Sequence, residues 1–350
     1  MTAALIQSKF ESLISTREVI KIKLLYMGDI HIRGTNPRNR KDDYKEALKA
    51  KLREIFSLAK YKEVEAIICA GDIFDRPEVT NGVLLEFAEV FKENKIPFYT
   101  TAGNHDVYGY NLDTYNRTSL RVMELIVPNL HVINDPNENV FIEDKVDSQN
   151  AVSLSFMPYN QQIDKDGYGY SPGRPFKGFK IHTAHGMLLD HDPKVFDRFT
   201  TVQDVETEAD LILTGHDHTG YGIYKRADGK TFVNCGAICR LSASESEIER
   251  TIQVALITVE DNKLQDIELI PLQSAKSGTE VLDRSKIEAE QKRQYAMEEF
   301  SSLIQDKQGN TAVVDVNAIV EAIAEKEKYK PEVVQIALDK IAEAREEMKV

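Results

Sequence analysis

Five short fragments of this sequence carry the side chains that hold divalent metals: Asp29-Ile30-His31, Gly71-Asp72-Ile73-Phe74-Asp75, Gly103-Asn104-His105-Asp106, His185-Gly186 and Gly215-His216-Asp217-His218. Five of the eight histidines fall within them, so their distribution is not that of histidines scattered over a surface. Two divalent ions about 3.5–4 Å apart polarise a phosphoryl group, turn bound water into hydroxide and stabilise both the attacking and the leaving oxygen. Such a pair needs one shared carboxylate, for which Asp72 is the candidate, and a cluster of ligands on each side. His216 and His218 stand two apart on an extended segment, so they point to one side and can reach neighbouring metals, and Asp29 and His31 share that spacing. Asn104 adds a neutral amide oxygen, which limits the negative charge of a site that accepts an anionic phosphodiester. Singly, each fragment reads as a helix cap, a loop or a turn of residues that tolerate left-handed backbone. Together they keep a fixed order, and nearly all directly follow an apolar run.

Those runs are the elements that must position the ligands. Ile22 to Met27 reads as a first strand, followed by a polar loop with Arg33, Pro37, Arg38 and Arg40. A helix from about Asp42 has the apolar face Tyr44, Leu48, Leu52, Ile55, Phe56 and Ala59, with Lys45, Lys49 and Arg53 along another face. The pattern repeats with a strand over 66–70, the Asp72 loop, a helix over 79–93 and a strand over 97–101. Strands alternating with amphipathic helices indicate a mainly parallel sheet. Further strands are expected over 151–157, 180–184 and 210–214, then closer-spaced runs at 221–224, 231–234 and 251–259 that look antiparallel. The fold class is therefore α/β, with two sheets in a layered sandwich. Residues 1–20 are an N-terminal extension, 21–273 the main domain and 274–350 a small helical module whose composition turns highly charged. Asp283 to Gln305, a stretch from Asp315 and a third beginning at Pro331 are its expected helices.

The sequence holds 42% hydrophobic and 29% charged residues and a formal net charge of −13, which argues against nucleic-acid affinity over the whole surface. Arg33 to Lys62 departs from this, with ten basic against four acidic residues. Cys69, Cys235 and Cys239, odd in number and inside or beside apolar runs, read as buried thiols of a reducing compartment. No apolar run approaches the ~20 residues of a membrane span, and the first ten residues lack a basic stretch leading into an apolar one. A soluble, cytoplasmic protein is expected.

The motif order Asp-x-His, Gly-Asp-x-x-Asp, Gly-Asn-His-Asp, His-Gly and Gly-His-x-His closely resembles the calcineurin-like metallophosphoesterase superfamily, over roughly residues 22–272. The resemblance implies an α/β/β/α sandwich and a metal-dependent phosphoesterase. It implies that Asp29, His31, Asp72 and His218 hold one metal, and Asp72, Asn104, His185 and His216 the other. His105 would contact the phosphate and aid departure of the leaving oxygen, while Asp75 and Asp106 would orient histidines. His182 is a rival to His185, but only His185 is followed by glycine. Within the superfamily the chain looks most like SbcD-type DNA exonucleases, on Asp43 leading a helix, Gly-Asp-Ile-Phe-Asp, Phe156-Met157-Pro158-Tyr159 and Gly236-Ala237. That likeness implies a nuclease subunit of repair or recombination, two manganese ions (the ligand set also admits zinc, iron or magnesium), DNA as substrate and an SbcC-like coiled-coil ATPase docked on the C-terminal helices, with a homodimer also admitted. The mixed α/β capping domain of such enzymes is missing or much reduced here. Arg33, Arg38, Arg40 and Lys41 are candidate DNA-phosphate contacts. The loop 159–177, with Tyr168, Tyr170, Phe176, Lys165, Arg174 and Lys177, is a candidate clamp. A phosphoesterase for small nucleotides, and a scaffold with a vestigial site, are the alternatives.

Overall fold

The computed structural model describes residues 21–143, 150–174, 178–194 and 198–285, with 320, 324, 329–331, 333–338 and 340 of the C-terminal stretch. The expected extension over residues 1–20 and the helix over 283–305 lie outside these, apart from residues 283–285. In chain order the strands and main helices are β1 (Ile22–Met27), α1 (Tyr44–Lys62), β2 (Ala66–Cys69), α2 (Asn81–Glu93), β3 (Phe98–Thr100), α3 (Ser119–Ile126), β4 (Leu130–Val132), β5 (Asn139–Glu143) and β6 (Ala151–Met157). There follow β7 (Phe179–Ala184), β8 (Leu188–Leu189), β9 (Thr200–Thr201), β10 (Leu211–Thr214), β11 (Gly222–Lys225), β12 (Thr231–Asn234), β13 (Gln253–Glu260) and β14 (Lys263–Pro271).

Two six-stranded sheets result, in the orders β14-β13-β1-β2-β3-β4 and β11-β12-β10-β7-β6-β5. In the first, β1 to β4 run parallel and β13 joins β1 antiparallel. The expectation of a more antiparallel second half holds for β13, antiparallel to both β1 and β14, but in the second sheet only at the edges: β6, β7, β10 and β12 are parallel, and β5 and β11 flank them antiparallel. Continuous apolar runs are what a parallel strand covered on both faces requires. In β1, Leu25 and Met27 pack toward the helices, while Ile22, Leu24 and Tyr26 enter the core between the sheets with Val152, Leu154, Phe156, Ile181, Leu211 and Leu213. The outer face of the second sheet packs under Ile163, Tyr170, Leu188, Val202 and Val205.

Helix α1 buries the whole face read from its periodicity, and Lys51 with it. Asp43 caps it by accepting the Glu46 amide, at 3.1 Å. Its basic face is neutralised by neighbouring elements: Lys45 and Lys49 meet Glu86 of α2 at 2.8 and 3.2 Å, and Arg53 meets Glu93 at 2.9 Å. The chain divides into a first unit running to Asp283 and a second from Arg284. In the second, residues 333–338 are helical and Val320, Ala324, Tyr329, Val334 and Ala337 converge on an apolar hollow. Among the described residues no helix is long and apolar enough to cross a membrane.

Candidate metal centre

Every candidate ligand leaves the C-terminal end of a parallel strand, the position where open α/β sheets build their sites. Asp29 and His31 follow β1, Asp72 follows β2, Asn104 follows β3, His185 follows β7 and His216 follows β10. The site therefore draws on both sheets. Three of these residues, His31, Asp72 and His216, have φ of 53°, 46° and 75°. Non-glycine residues hold left-handed backbone only where their surroundings over-determine it, and such strain gathers at functional sites. The glycines before the ligands act by size: a Cβ at Gly103 would collide with the Asp72 carboxylate, and one at Gly215 with that of Asp29.

The ligand atoms of Asp29, His31, Asp72 and His218 lie within 4.8 Å of one another, and so do those of Asp72, His185 and His216. Asn104 joins the second group, its Oδ1 2.9 Å from His185 Nε2. Asp72 is common to both, with Oδ2 3.6 Å from His31 Nε2 and 3.3 Å from His185 Nε2. That buried oxygen has no hydrogen-bond partner, nor has Asp29 Oδ1. His185 Nδ1 lies 2.8 Å from the Ala70 carbonyl. A carbonyl only accepts, so Nδ1 carries the proton and Nε2 offers a lone pair to the site. His31 Nε2 and His218 Nε2 face each other at 2.9 Å, an approach that two neutral acceptors tolerate only with a cation or proton between them. Burial pushes His31 well below its ordinary range, His218 to about 4 and His216 to about 3, a shift toward the neutral imidazole that a metal requires. Burial also lifts the Asp29 carboxyl to about 7, against the pull of His185, with the Asp72 charge adding to it. Burial acts the same way on Asp72, yet the imidazoles of His185, His31 and His105 overcome it and hold this carboxyl well below the usual range. His185 is the reverse case: burial opposes its charge, and Asp72 carries it up to about 9, so without an ion a proton sits on Nε2 between Asp72 and Asn104, where a cation would replace it. Orphaned carboxylate oxygens, bare imidazole nitrogens and a deficit of positive charge fit divalent cations at both positions.

His105 presents its peptide N–H to Asp72 Oδ1 at 2.9 Å, and its Nδ1 donates to the Asp75 carbonyl at 2.9 Å, which leaves Nε2 bare. Its ring meets His31 edge-on at a centroid distance of 4.9 Å. Asp75 thus fixes His105 through its main chain, while its side chain pairs with Arg33 at 3.1 Å and stays 3.8 Å from His31 Nδ1. Asp106, expected to orient a histidine, accepts the amides of Ile73, Phe74 and Gly103 at 3.2, 2.9 and 2.9 Å. It ties the Asp72 loop to the Asn104 loop because the carboxylate is buried under three converging N–H groups. His182 is occupied on both nitrogens, by Ser155 at 2.7 Å and the Gly169 carbonyl at 3.0 Å, and is a structural histidine.

The basic loop spreads out. Arg33 lies beside Asp75, and Arg38 is exposed. Arg40 grips Asp42 through two bonds of 2.7 Å and stacks on Tyr44, and Lys41 donates to the Thr279 carbonyl. Within loop 159–177, Tyr170 is buried with its hydroxyl on Asp164, Tyr168 is exposed, and Phe176 and Lys177 lie outside the described residues. Tyr159, the first residue of that loop, lies beside His216, and Tyr110 and Arg198, neither of them a candidate in the sequence, gather on Tyr159. The one local signal was an aromatic next to glycine, Tyr108-Gly109-Tyr110, soon after His105.

No curated protein matches the sequence. Solved structures with similar folds include GAP50, the anchor in the inner membrane complex of Plasmodium, at 14% identity over 72% of this chain and 89% of that one, TM-score 0.45. A Staphylococcus aureus protein described as a 5′-nucleotidase has 14% identity over 72% and 54%, TM-score 0.44. The NAD nucleotidase of Haemophilus influenzae has 15% identity over 73% and 50%, TM-score 0.40. The family model for the calcineurin-like phosphoesterases matches residues 22–220, a span that holds every candidate ligand described above, and the chain belongs to that family.

Proposed function

We propose that this chain hydrolyses phosphoesters of nucleotides with the help of two divalent ions. The observation that carries the chemistry is Asp72: one buried carboxylate, with an oxygen lacking a hydrogen-bond partner, faces imidazoles of both ligand groups. Asp29, His31, Asp72 and His218 would hold one ion, and Asp72, Asn104, His185 and His216 the other. When bound, such ions polarise the phosphoryl group and lower the pKa of water, and manganese suits mixed imidazole and carboxylate ligation. His105, with Nδ1 donating to the Asp75 carbonyl, would act in its doubly protonated form and give the Nε2 proton to the departing oxygen. Arg33, set beside Asp75 and within reach of the same end, adds positive charge for the phosphate.

Small nucleotides are the first substrates to offer. The net charge of −13 disfavours a polyanion, and the basic face of α1 is matched by Glu86 and Glu93 within the fold. A DNA nuclease subunit working with an SbcC-like ATPase is the second reading, carried by the SbcD-like motif set around Gly71 to Asp75 and Phe156 to Tyr159. The test gives the protein and its Asp72→Asn variant Mn²⁺ with a chromogenic phosphodiester, nucleoside mono- and diphosphates, NAD, and end-labelled single- and double-stranded DNA. Turnover of free nucleotides by the native protein alone supports the first reading, and degradation of DNA alone supports the second. Metal binding without hydrolysis of any of them refutes both and leaves a scaffold.

A further inference from the structure

The two ends of the site differ in chemistry. His105, Asp75 and Arg33 make a polar, proton-handling end beside His31. At the other end the His216 and His185 rings are followed by aromatic carbon. Tyr159 leaves β6 and donates its amide to the Ala102 carbonyl at 2.9 Å, which anchors it beside the Gly103-Asn104 loop. Its ring centroid lies 5.7 Å from that of His216 and 6.3 Å from that of His185. Tyr110 continues the row, 5.8 Å from Tyr159, and is 56% exposed. The Arg198 guanidinium lies 5.9 Å from the Tyr159 ring centre, fixed by bonds to the carbonyls of Ile163 and Asn160.

Tyr110 has φ 60° and follows Gly109 at φ 57°, so a bulky side chain sits in left-handed backbone on an exposed turn. Packing into the core does not account for it, because the residue is more than half exposed. A large aromatic held in that way at the rim of a phosphoester site matches the chemistry of a nucleobase, whose π-face stacks on tyrosine without regard to sequence. We propose that Tyr110, backed by Tyr159, is the shelf on which the base of the substrate nucleotide stacks. The scissile phosphate of a nucleoside phosphodiester then lies over the shared Asp72, the nucleoside oxygen stays on phosphorus, and the oxygen of the other ester arm leaves toward His105. This rests on the nucleotide reading above and goes further by assigning the residues that recognise the nucleoside.

The experiment compares three esters with one leaving group: thymidine 5′-monophosphate p-nitrophenyl ester, its base-free counterpart built on 1,2-dideoxyribose 5-phosphate, and bis(p-nitrophenyl) phosphate. In the native protein kcat/KM for the base-bearing ester should exceed that for the base-free one by roughly 5- to 150-fold, the range that a stacked base confers. Tyr110→Ala should bring that ratio close to one, mainly through KM, and Tyr110→Phe should preserve it. The side chain is exposed, and a circular dichroism spectrum establishes that the variant is folded. A ratio near one in the native protein, or an undiminished ratio in Tyr110→Ala, overturns the shelf and leaves nucleotide hydrolysis standing. Turnover of bis(p-nitrophenyl) phosphate with neither sugar ester hydrolysed overturns the nucleotide reading itself.

Discussion

Replacing His105 by glutamine separates proton transfer from metal binding. The imidazole is fixed at two points, by its peptide N–H on Asp72 Oδ1 and by Nδ1 on the Asp75 carbonyl, so Nε2 is the one side-chain atom free to meet a leaving oxygen. A positioned general acid contributes about 10²- to 10⁴-fold, equivalent to about 3–5 kcal/mol of barrier. The loss must depend on the leaving group, since a poorly basic p-nitrophenolate departs without a proton and an alkoxide does not. His105→Gln should therefore lose about 10²- to 10⁴-fold in kcat on an alkyl phosphodiester, and much less on its p-nitrophenyl counterpart. Metal content, measured by mass spectrometry of the dialysed protein, should match the native value, whereas Asp72→Asn should lose metal. The His31, Asp75 and His105 ligand atoms also lie within 4.8 Å of one another, so a ligand role for His105 has a geometric basis. Equal losses on both leaving groups, together with reduced metal content, would refute the proton-transfer assignment in favour of that role.

Asp106→Ala strips a common acceptor from the amides of Ile73, Phe74 and Gly103, so urea unfolding should show a loss of about 3 kcal/mol or more, with weaker metal binding as the two loops separate. Burial pushes the Lys51 ammonium down to about 7, and its Nζ donates to the Ile238 carbonyl. Because the folded pKa lies below the unfolded value of about 10.4, the unfolded chain binds more protons between pH 7 and 10, and this group makes the native state more stable as pH rises through that window. Lys51→Met removes that gain, so native-minus-variant stability should grow by about 2 kcal/mol from pH 7 to 9, and parallel curves in urea titrations would contradict the assignment. Truncation after Asp283 keeps the whole first unit, including the buried Val281 and Leu282, and should leave hydrolysis of p-nitrophenyl esters unchanged; insoluble protein would show that the first unit depends on the removed residues.

The ligand residues were legible because metal chemistry admits few side chains, and those side chains stood in a fixed order, nearly all directly after an apolar run. The same local logic gave the buried face of α1 and the strands that carry the site. Strands β4 and β14 escaped because one is three residues long and the other mostly exposed, and β5 because its residues are half-buried or exposed, so neither length nor alternation marked them. Other features are contacts between distant segments, which sequence periodicity does not encode. The His182 and His185 side chains are three residues apart, and only the strand register puts one between Ser155 and Gly169 and the other against Asn104. The sequence showed no partners for the basic face of α1, and only the tertiary structure places Glu86 and Glu93 of α2 opposite it. Asp106 serves backbone amides, and Tyr110 reaches Tyr159, for the same reason. The sequence alone determined which side chains are candidates to hold metal and which strands present them, because residue type and local period are properties of a single segment. The tertiary structure decided which charges remain unpaired and which aromatics reach the site, because those depend on how two sheets and their crossovers bring separate segments together.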